Sequence, residues 1–295
     1  MADLPACLWD RPAHVHLIGM GGVGMAGLAR LLIQSGFTVS GSDSHPNRLT
    51  RDLEAQGAQF FAGHHPDHPP RQTEWAVRTP AVGEGNPEVE ALRERQIPVW
   101  VRGQVLASFS NRRRSVAVAG AHGKTTTSAM LATILEHARS GAGYAVGGET
   151  GLPGRVADRG STEAFVLEAD ESDGTLVHYA PAVGILTHVE WDHVERFRSE
   201  SSLLRCYRRF AEGCGVRWIR EGDLLAEQVS RDLPQLKRVG ESTTADLQFL
   251  GATESPDGQE VRFGFQGGTY SFRIPLPGRH NAMNALLAVA AAGEL

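Results

Sequence analysis

The stretch Ser115-Val116-Ala117-Val118-Ala119-Gly120-Ala121-His122-Gly123-Lys124-Thr125-Thr126-Thr127 decides the fold. Small and β-branched apolar residues run into glycines, a lysine and threonines, and the helix-like Ser128-Ala129-Met130-Leu131-Ala132-Thr133-Ile134-Leu135 follows. Strand, loop, helix is the order of a phosphate-binding loop. Its glycines let successive backbone N–H groups turn toward a phosphate at a helix N-terminus. Lys124 adds a mobile positive charge, and Thr125 offers Mg²⁺ a hydroxyl. Val118 stands where the full motif has glycine, so the match is Gly-x-x-Gly-Lys-Thr, a pattern that a helix-capping turn also satisfies. The lysine favours phosphate, because the 29 basic residues include only two lysines, Lys124 and Lys237.

A chain of 295 residues is long enough for about two domains, each with a sizeable core. Its 41% apolar and 21% charged residues are those of a soluble globular protein. A net charge of −5 and scattered arginines leave no nucleic-acid footprint, and no apolar run reaches the roughly 18 residues of a membrane span. The run Arg112-Arg113-Arg114 is expected to be a solvated linker, although it could hold phosphates. Cys7, Cys206 and Cys214 are odd in number and lack C-x-x-C spacing, so reduced thiols and a cytoplasmic location are expected. The N-terminus shows no basic segment leading into an apolar core.

Upstream of the loop, Val15-His16-Leu17-Ile18 reads as a buried strand that opens into a glycine turn, Gly19 to Gly27, and an apolar helix. Thr38 to Ser42 is a second strand ending at Asp43, where a dinucleotide-binding βαβ unit places an acid for a ribose hydroxyl. A nucleotide diphosphate fits this unit. The motif alone leaves open NAD(P) or FAD, another nucleotide, or a tight turn with no ligand. A helix over 48–57, a strand over 75–81, a helix over 86–95 and a strand over 97–102 complete the alternation of a parallel sheet. His64, His65 and His68 are expected to lie in a solvated loop, lacking the partners of a metal site. The domain boundary is placed in the polar run 110–114, giving domains at 1–111 and 112–295.

Downstream, 144–148 and 164–168 read as strands, and the second empties into four acids, Glu168, Asp170, Glu171 and Asp173. An apolar strand ending in acids is where a nucleotide enzyme holds Mg²⁺. Val183 to Thr187 is a further strand, followed by His188 and His193, either of which is an ordinary polar rim residue or a ligand. A helix over 203–212, alternating strands within 247–274 and an apolar helix from Arg279 close the chain. It stops inside that helix without a clear stop signal, which suggests a truncated chain.

Taken together, Gly19 to Gly27, the Gly-Ala-His-Gly-Lys-Thr loop, Glu168 to Asp173, Asp192-His193 and Gly278-Arg279-His280-Asn281-Ala282-Met283-Asn284 resemble the Mur ligases of peptidoglycan synthesis. His122, Asn86-Pro87-Glu88 and Ile97-Pro98-Val99 resemble its muramate-recognising, alanine-adding branch. The resemblance implies an α/β fold, with a Rossmann-like N-terminal domain and a P-loop ATPase-type central domain, and a family C-terminal domain that is absent here. It implies that Gly19, Gly21, Gly22, Val23, Gly24, Asp43 and Thr79 hold the sugar nucleotide UDP-N-acetylmuramate, with His122 and His188 toward the muramoyl end. It further implies ATP on Gly120, Gly123, Lys124, Thr125 and Thr126, with Asn281 and Asn284 near adenine, and Mg²⁺ on Thr125, Glu171 and His193. Lys124, Glu171 and His193 carry the catalytic roles. The activity implied is ATP-dependent joining of L-alanine to the muramoyl carboxylate through an acyl phosphate, with this chain incomplete for it. Alternatives are the recycling ligase that attaches a murein tripeptide to the same acceptor, or a UDP-sugar-binding module without phosphoryl chemistry. Three positions depart from the family pattern. His188 replaces asparagine, Thr79-Pro80-Ala81 replaces a serine pair, and Arg208 occupies the region where several members carry a carbamylated lysine.

Overall fold

The computed structural model describes residues 6–148, 156–191, 197 and 199–295. In its first half, strands and helices alternate: β1 (His14–Ile18), α1 (Val23–Gln34), β2 (Thr38–Asp43), α2 (Arg48–Glu54), β3 (Gln59–Ala62), β4 (Trp75–Arg78), α3 (Pro87–Glu94), β5 (Val99–Val101) and α4 (Arg102–Ser110). The strands pair in parallel in the order β3-β2-β1-β4-β5. All five residues of β1 are buried, as expected of a strand covered by helices on both faces. The order reverses beside β1, and in such sheets the crevice beyond that strand's carboxyl end is the ligand site.

The second half contains β6 (Arg114–Ala119), α5 (Lys124–His137), β7 (Gly143–Ala145), β8 (Ala157–Asp158), β9 (Ala164–Glu168), β10 (Val183–Leu186), α6 (Glu200–Gly213), β11 (Val216–Arg220), α7 (Leu224–Ser230) and β12 (Leu236–Gly240). It ends with β13 (Leu247–Ser255), β14 (Gly258–Phe265), β15 (Gly268–Ile274) and α8 (Arg279–Ala292). These strands form one ten-stranded sheet, β15-β14-β13-β12-β11-β10-β6-β9-β7-β8. Within it β6 is parallel to β10 on one side and to β9 on the other, so the phosphate-type loop leaves the sheet at a second reversal of order. The last three strands are antiparallel, and α8 packs back on the sheet through Met283, Leu286 and Leu287.

The two sheets share a core. Leu31 of α1 and Leu106 and Phe109 of α4 are buried in the same cluster as Phe165, Leu167, Leu176 and Phe210. Helix α4, which the sequence left unassigned, is therefore the wedge between the halves. The run Arg112 to Arg114 is exposed at Arg112 and Arg114, as expected of a solvated segment, but its side chains are not free. The Arg113 guanidinium lies 4.6 Å from the Phe109 ring centre and donates to the carbonyls of Arg159 (3.0 Å) and Thr162 (3.2 Å). Arg112 pairs with Asp10 at 2.9 Å, and Arg114 donates to the Glu294 carbonyl at 2.7 Å. Three apparently free charges are spent on fastening elements distant in sequence.

The histidine loop is also not simply solvated. His68 Nδ1 lies 2.9 Å from Glu88 Oε1, and His64 Nδ1 lies 3.2 Å from Ser42 Oγ. Glu88 has no exposed surface, and its other oxygen accepts from Ser42 Oγ (2.5 Å) and faces His16 Nε2 (3.1 Å). Burial pushes the Glu88 carboxyl up, but the bonds from His16, Ser42 and His68 outweigh it and hold the group below the usual range. His65 alone is exposed, as expected for the whole segment. Cys206 and Cys214 are buried free thiols, and burial pushes the Cys214 thiol up to about 12, so it is inert.

Candidate functional site

Helix α5 begins at Lys124 behind Gly123, whose φ of +84° is left-handed and which provides no side-chain cap. A Cβ at Gly123 would also stand 3.0 Å from the Asn284 amide, so both conformation and space require glycine. The first-turn N–H groups of α5 thus have no side-chain cap. Lys124 Nζ donates to the Gly120 carbonyl at 2.6 Å and to both oxygens of Glu171 at 2.9 and 3.0 Å. Glu171 is 1% exposed, and Lys124 pairs with both of its oxygens. Thr125 Oγ1 donates to Glu168 Oε2 at 2.9 Å, an oxygen that also accepts the Gly147 N–H. Thr126 lies beside it on the same turn. Asn284 comes from α8 to reach this loop, and Asn281 sits one turn earlier, donating to the Pro277 carbonyl at 2.7 Å.

The hydroxyl of Thr125 and the carboxylates of Glu168 and Glu171 gather at the loop, a set of hard oxygen donors that fits Mg²⁺. Among the described residues no three His, Cys, Asp or Glu side chains are arranged to hold a metal by themselves. Asp192 and His193 lie outside the described residues. Burial pushes Asp170 up, but the Ser172 N–H and hydroxyl and the charges of Lys124 and Arg102 outweigh it, leaving the carboxyl below its ordinary value. Asp173 goes the other way: burial dominates, and its Oδ2 is buried without a hydrogen-bond partner.

The second loop follows β1. Gly19 and Met20 donate to the Ser42 carbonyl at 2.8 and 2.9 Å, and Gly21 donates to Asp43 Oδ2 at 2.8 Å. Asp43 therefore braces the turn through one oxygen while its other accepts from the His45 N–H. Gly22 is the N-cap of α1 and contributes no side-chain cap. Val23 is exposed beside it, and the Thr79 methyl covers Gly19. Between the two halves lies a cavity of about 400 Å³ lined by Gly22, Gly24, Thr79, Arg102, Glu168 and Asp170. One wall is the start of α1. The other contains Glu168, the carboxylate bonded to the first turn of α5.

On the far side of the α5 loop, His122 Nε2 lies 2.6 Å from Glu190 Oε1, and His188 Nε2 lies 3.5 Å from Oε2 of the same residue. Their rings stack with centroids 6.4 Å apart. His188 Nδ1 is 2.7 Å from Asp223 Oδ2, an acid that also caps α7 by accepting from Ala226 N–H.

Two family descriptions match the chain: "Mur ligase family, catalytic domain" over residues 14–114 and "Mur ligase middle domain" over residues 118–292, the latter more than half the chain. The chain belongs to the Mur ligase family. Similar curated relatives are the UDP-N-acetylmuramate–L-alanine ligases of Syntrophomonas wolfei (37% identical, 95% of this chain, 62% of the relative) and Streptomyces coelicolor (38%, 99% and 64%). This Mur ligase chain thus spans a little under two thirds of those relatives' length. Among solved structures, the UDP-N-acetylmuramate-alanine ligase of Thermotoga maritima superposes with a TM-score of 0.84 at 25% identity, covering 95% of this chain and 64% of that one. The UDP-N-acetylmuramate:L-alanyl-gamma-D-glutamyl-meso-diaminopimelate ligase of Neisseria meningitides gives 0.83 at 26%, covering 96% and 94%.

Several residues of this Mur ligase site carried no sequence signal. Glu190 sits between the two histidines and Asp223 orients His188, but neither belongs to a short motif. Arg102 reaches the cavity from the first position of α4. The departure at Arg208 has a structural outcome: its guanidinium donates to Glu212 (2.9 Å) and to the carbonyls of Val229 (3.2 Å) and Arg231 (2.6 Å), tying α6 to the end of α7. At the Thr79-Pro80-Ala81 departure, the Thr79 N–H donates to the Ile18 carbonyl and its side chain lies against Gly19.

Proposed function

We propose that this chain carries the sugar-nucleotide and ATP sites of an ADP-forming ligase that joins L-alanine to the carboxylate of UDP-N-acetylmuramate in peptidoglycan precursor synthesis. The observation that carries the reading is the cavity with two uncapped helix starts around it, α1 on one wall and the α5 turn behind Glu168 on the other. One helix N-terminus at the cavity and a second joined to its wall through Glu168 suit two phosphate-bearing ligands. The division at 110–114 then separates a sugar-nucleotide half, 1–111, from an ATP half, 112–295.

A carboxylate is a poor electrophile, being negatively charged and without a leaving group. Transfer of the γ-phosphoryl of ATP to it gives an acyl phosphate, and attack by the amine of L-alanine forms the amide and releases phosphate. Lys124 is held by Glu171 and Gly120. A triphosphate in the loop competes for Lys124, which then offsets charge on the transferred group, and Glu171 would be available to a metal. Thr125, Glu171 and His193 would hold Mg²⁺, which would supply further neutralisation of the phosphate oxygens. His122 and His188, cross-braced by Glu190, face the muramoyl end. ATP supply and the buried free thiols support a cytoplasmic location.

In the full-length protein, phosphate release from ATP should require both UDP-N-acetylmuramate and L-alanine. Release that ignores the sugar nucleotide would reject the proposal. The likeness to the Neisseria meningitides ligase favours a second reading, in which a murein tripeptide replaces L-alanine. Comparing turnover with the two amines separates them.

A further inference from the structure

The first sheet ends at β5, which pairs only with β4. Along β5 runs a second cavity of about 530 Å³, lined by Arg78, Glu84, Arg93, Trp100 and Gln104 over an apolar wall that includes Val99. It shares no described lining residue with the cavity between the halves. Its polar groups are out of balance in one direction. Arg78 donates to Glu84 Oε1 at 2.6 Å and Arg93 donates to Oε2, so two guanidiniums divide one carboxylate, and no other acid is among the lining residues. Arg78 is the deeper of the two, its side chain 18% exposed against 61% for Arg93. Among the described residues, Trp100 Nε1 and Gln104 Nε2 are buried donors with no acceptor. Gln104 is 5% exposed, and its carbonyl oxygen already takes the Val101 N–H at 3.1 Å, so turning the amide over would only strand a different donor. Every group short of a partner here is therefore a donor or a cation. A buried donor without an acceptor is costly, and two in one cavity wall mark a place for acceptor atoms.

We propose that this cavity is a second ligand site, for a small organic carboxylate with an apolar or aromatic body. The carboxylate takes the place of Glu84 on Arg78 and Arg93, whose planar forks match its two oxygens, and the body lies on the apolar wall. A bare phosphate would satisfy the charge and leave that wall uncovered. The site is linked to the turn after β1. Arg78 also donates to the Val82 carbonyl at 2.7 Å, and the side chains of Thr79 and Val82 lie over Gly19. A ligand that draws Arg78 from Glu84 therefore acts on the segment 79–86 that covers the glycine turn. This site does not depend on which activity the central cavity serves.

The test is titration of the ¹⁵N-labelled chain with benzoate, and with benzamide as its uncharged counterpart, read from amide and indole N–H signals in NMR spectra. The chain has five tryptophans, and Trp100→Phe identifies the signal of interest. Benzoate should move the Trp100 indole signal saturably, with half-saturation near ~1 mM for so small a ligand, and the Gly19 amide signal should move with it. Benzamide should bind at least about tenfold more weakly, as should benzoate to Arg78→Met. Two exposed positions test the charge balance without touching the core. Arg93→Met should weaken benzoate, whereas Glu84→Gln, which removes the internal competitor, should tighten it about 2- to 5-fold. That gain is a result a purely structural ion pair would not give. A Trp100 indole signal that benzoate leaves in place, equal binding of benzamide, or unchanged benzoate affinity in Glu84→Gln would each overturn the site. Saturable binding that leaves Gly19 unmoved would overturn its link to the glycine turn.

Discussion

Lys124→Met should destabilise the ligand-free protein more than a loop substitution ordinarily does, because Lys124 is half of a buried pair with Glu171. Nζ lies 2.9 and 3.0 Å from the two carboxylate oxygens, and Glu171 is 1% exposed. At an effective dielectric of about 20, two unit charges at that separation attract by roughly 6 kcal/mol before desolvation. Removing one partner leaves the carboxylate with less of its burial cost offset, and breaking a buried pair costs up to about 3–5 kcal/mol. Urea unfolding should therefore show Lys124→Met less stable by roughly 3 kcal/mol. The double variant Lys124→Met/Glu171→Gln should regain most of that, because the glutamine has no charge to strand. Both should lose Mg-ATP binding. Single variants each costing under about 1 kcal/mol, with additive effects in the double, would refute the reasoning, since uncoupled groups do not form a buried pair.

Gly123→Ala should lower Mg-ATP affinity at least about tenfold in calorimetry while sparing UDP, since a left-handed alanine costs about 1–2 kcal/mol and its methyl meets Asn284. Arg113→Ala should lower urea stability by about 1–2 kcal/mol, having lost two carbonyl bonds and its contact with Phe109. Acid should destabilise the first half. Buried His16 lies below its ordinary 6.5 and Glu88 below its ordinary 4.5, so as pH falls the unfolded chain takes up protons before the folded one. Their stabilisation is full above pH 6.5, declines below it, and is lost as pH falls through the folded values. In melting curves across this range, Glu88→Gln should show a shallower decline below pH 4.5.

What could be read from the sequence was local. The α5 loop follows from a few consecutive residues whose types are dictated by a phosphate, and the turn after β1 likewise. Helix α4 gave no period because Gly103, Gln104, Val105, Leu106, Ala107, Phe109 and Ser110 are all buried, leaving no polar face to alternate with an apolar one. The histidine loop looked solvated because its partner Glu88 lies 20 residues beyond His68. Arg112 to Arg114 looked like a linker for the same reason, their acceptors being as far away as Glu294. Arg102 read as the end of a strand, and only folding places it between Gly24 and Asp170. Charge compensation across the two halves depends on topology, which residue type and spacing do not encode.

The most direct test is a crystal structure of the chain with UDP-N-acetylmuramate and a non-hydrolysable ATP analogue. The diphosphate should rest on Gly22 to Gly24 and the triphosphate on Gly120 to Thr126, with the muramoyl carboxylate facing the γ-phosphate between them. Either ligand bound away from its helix start, or a carboxylate beyond reach of the γ-phosphate, would contradict the shared site.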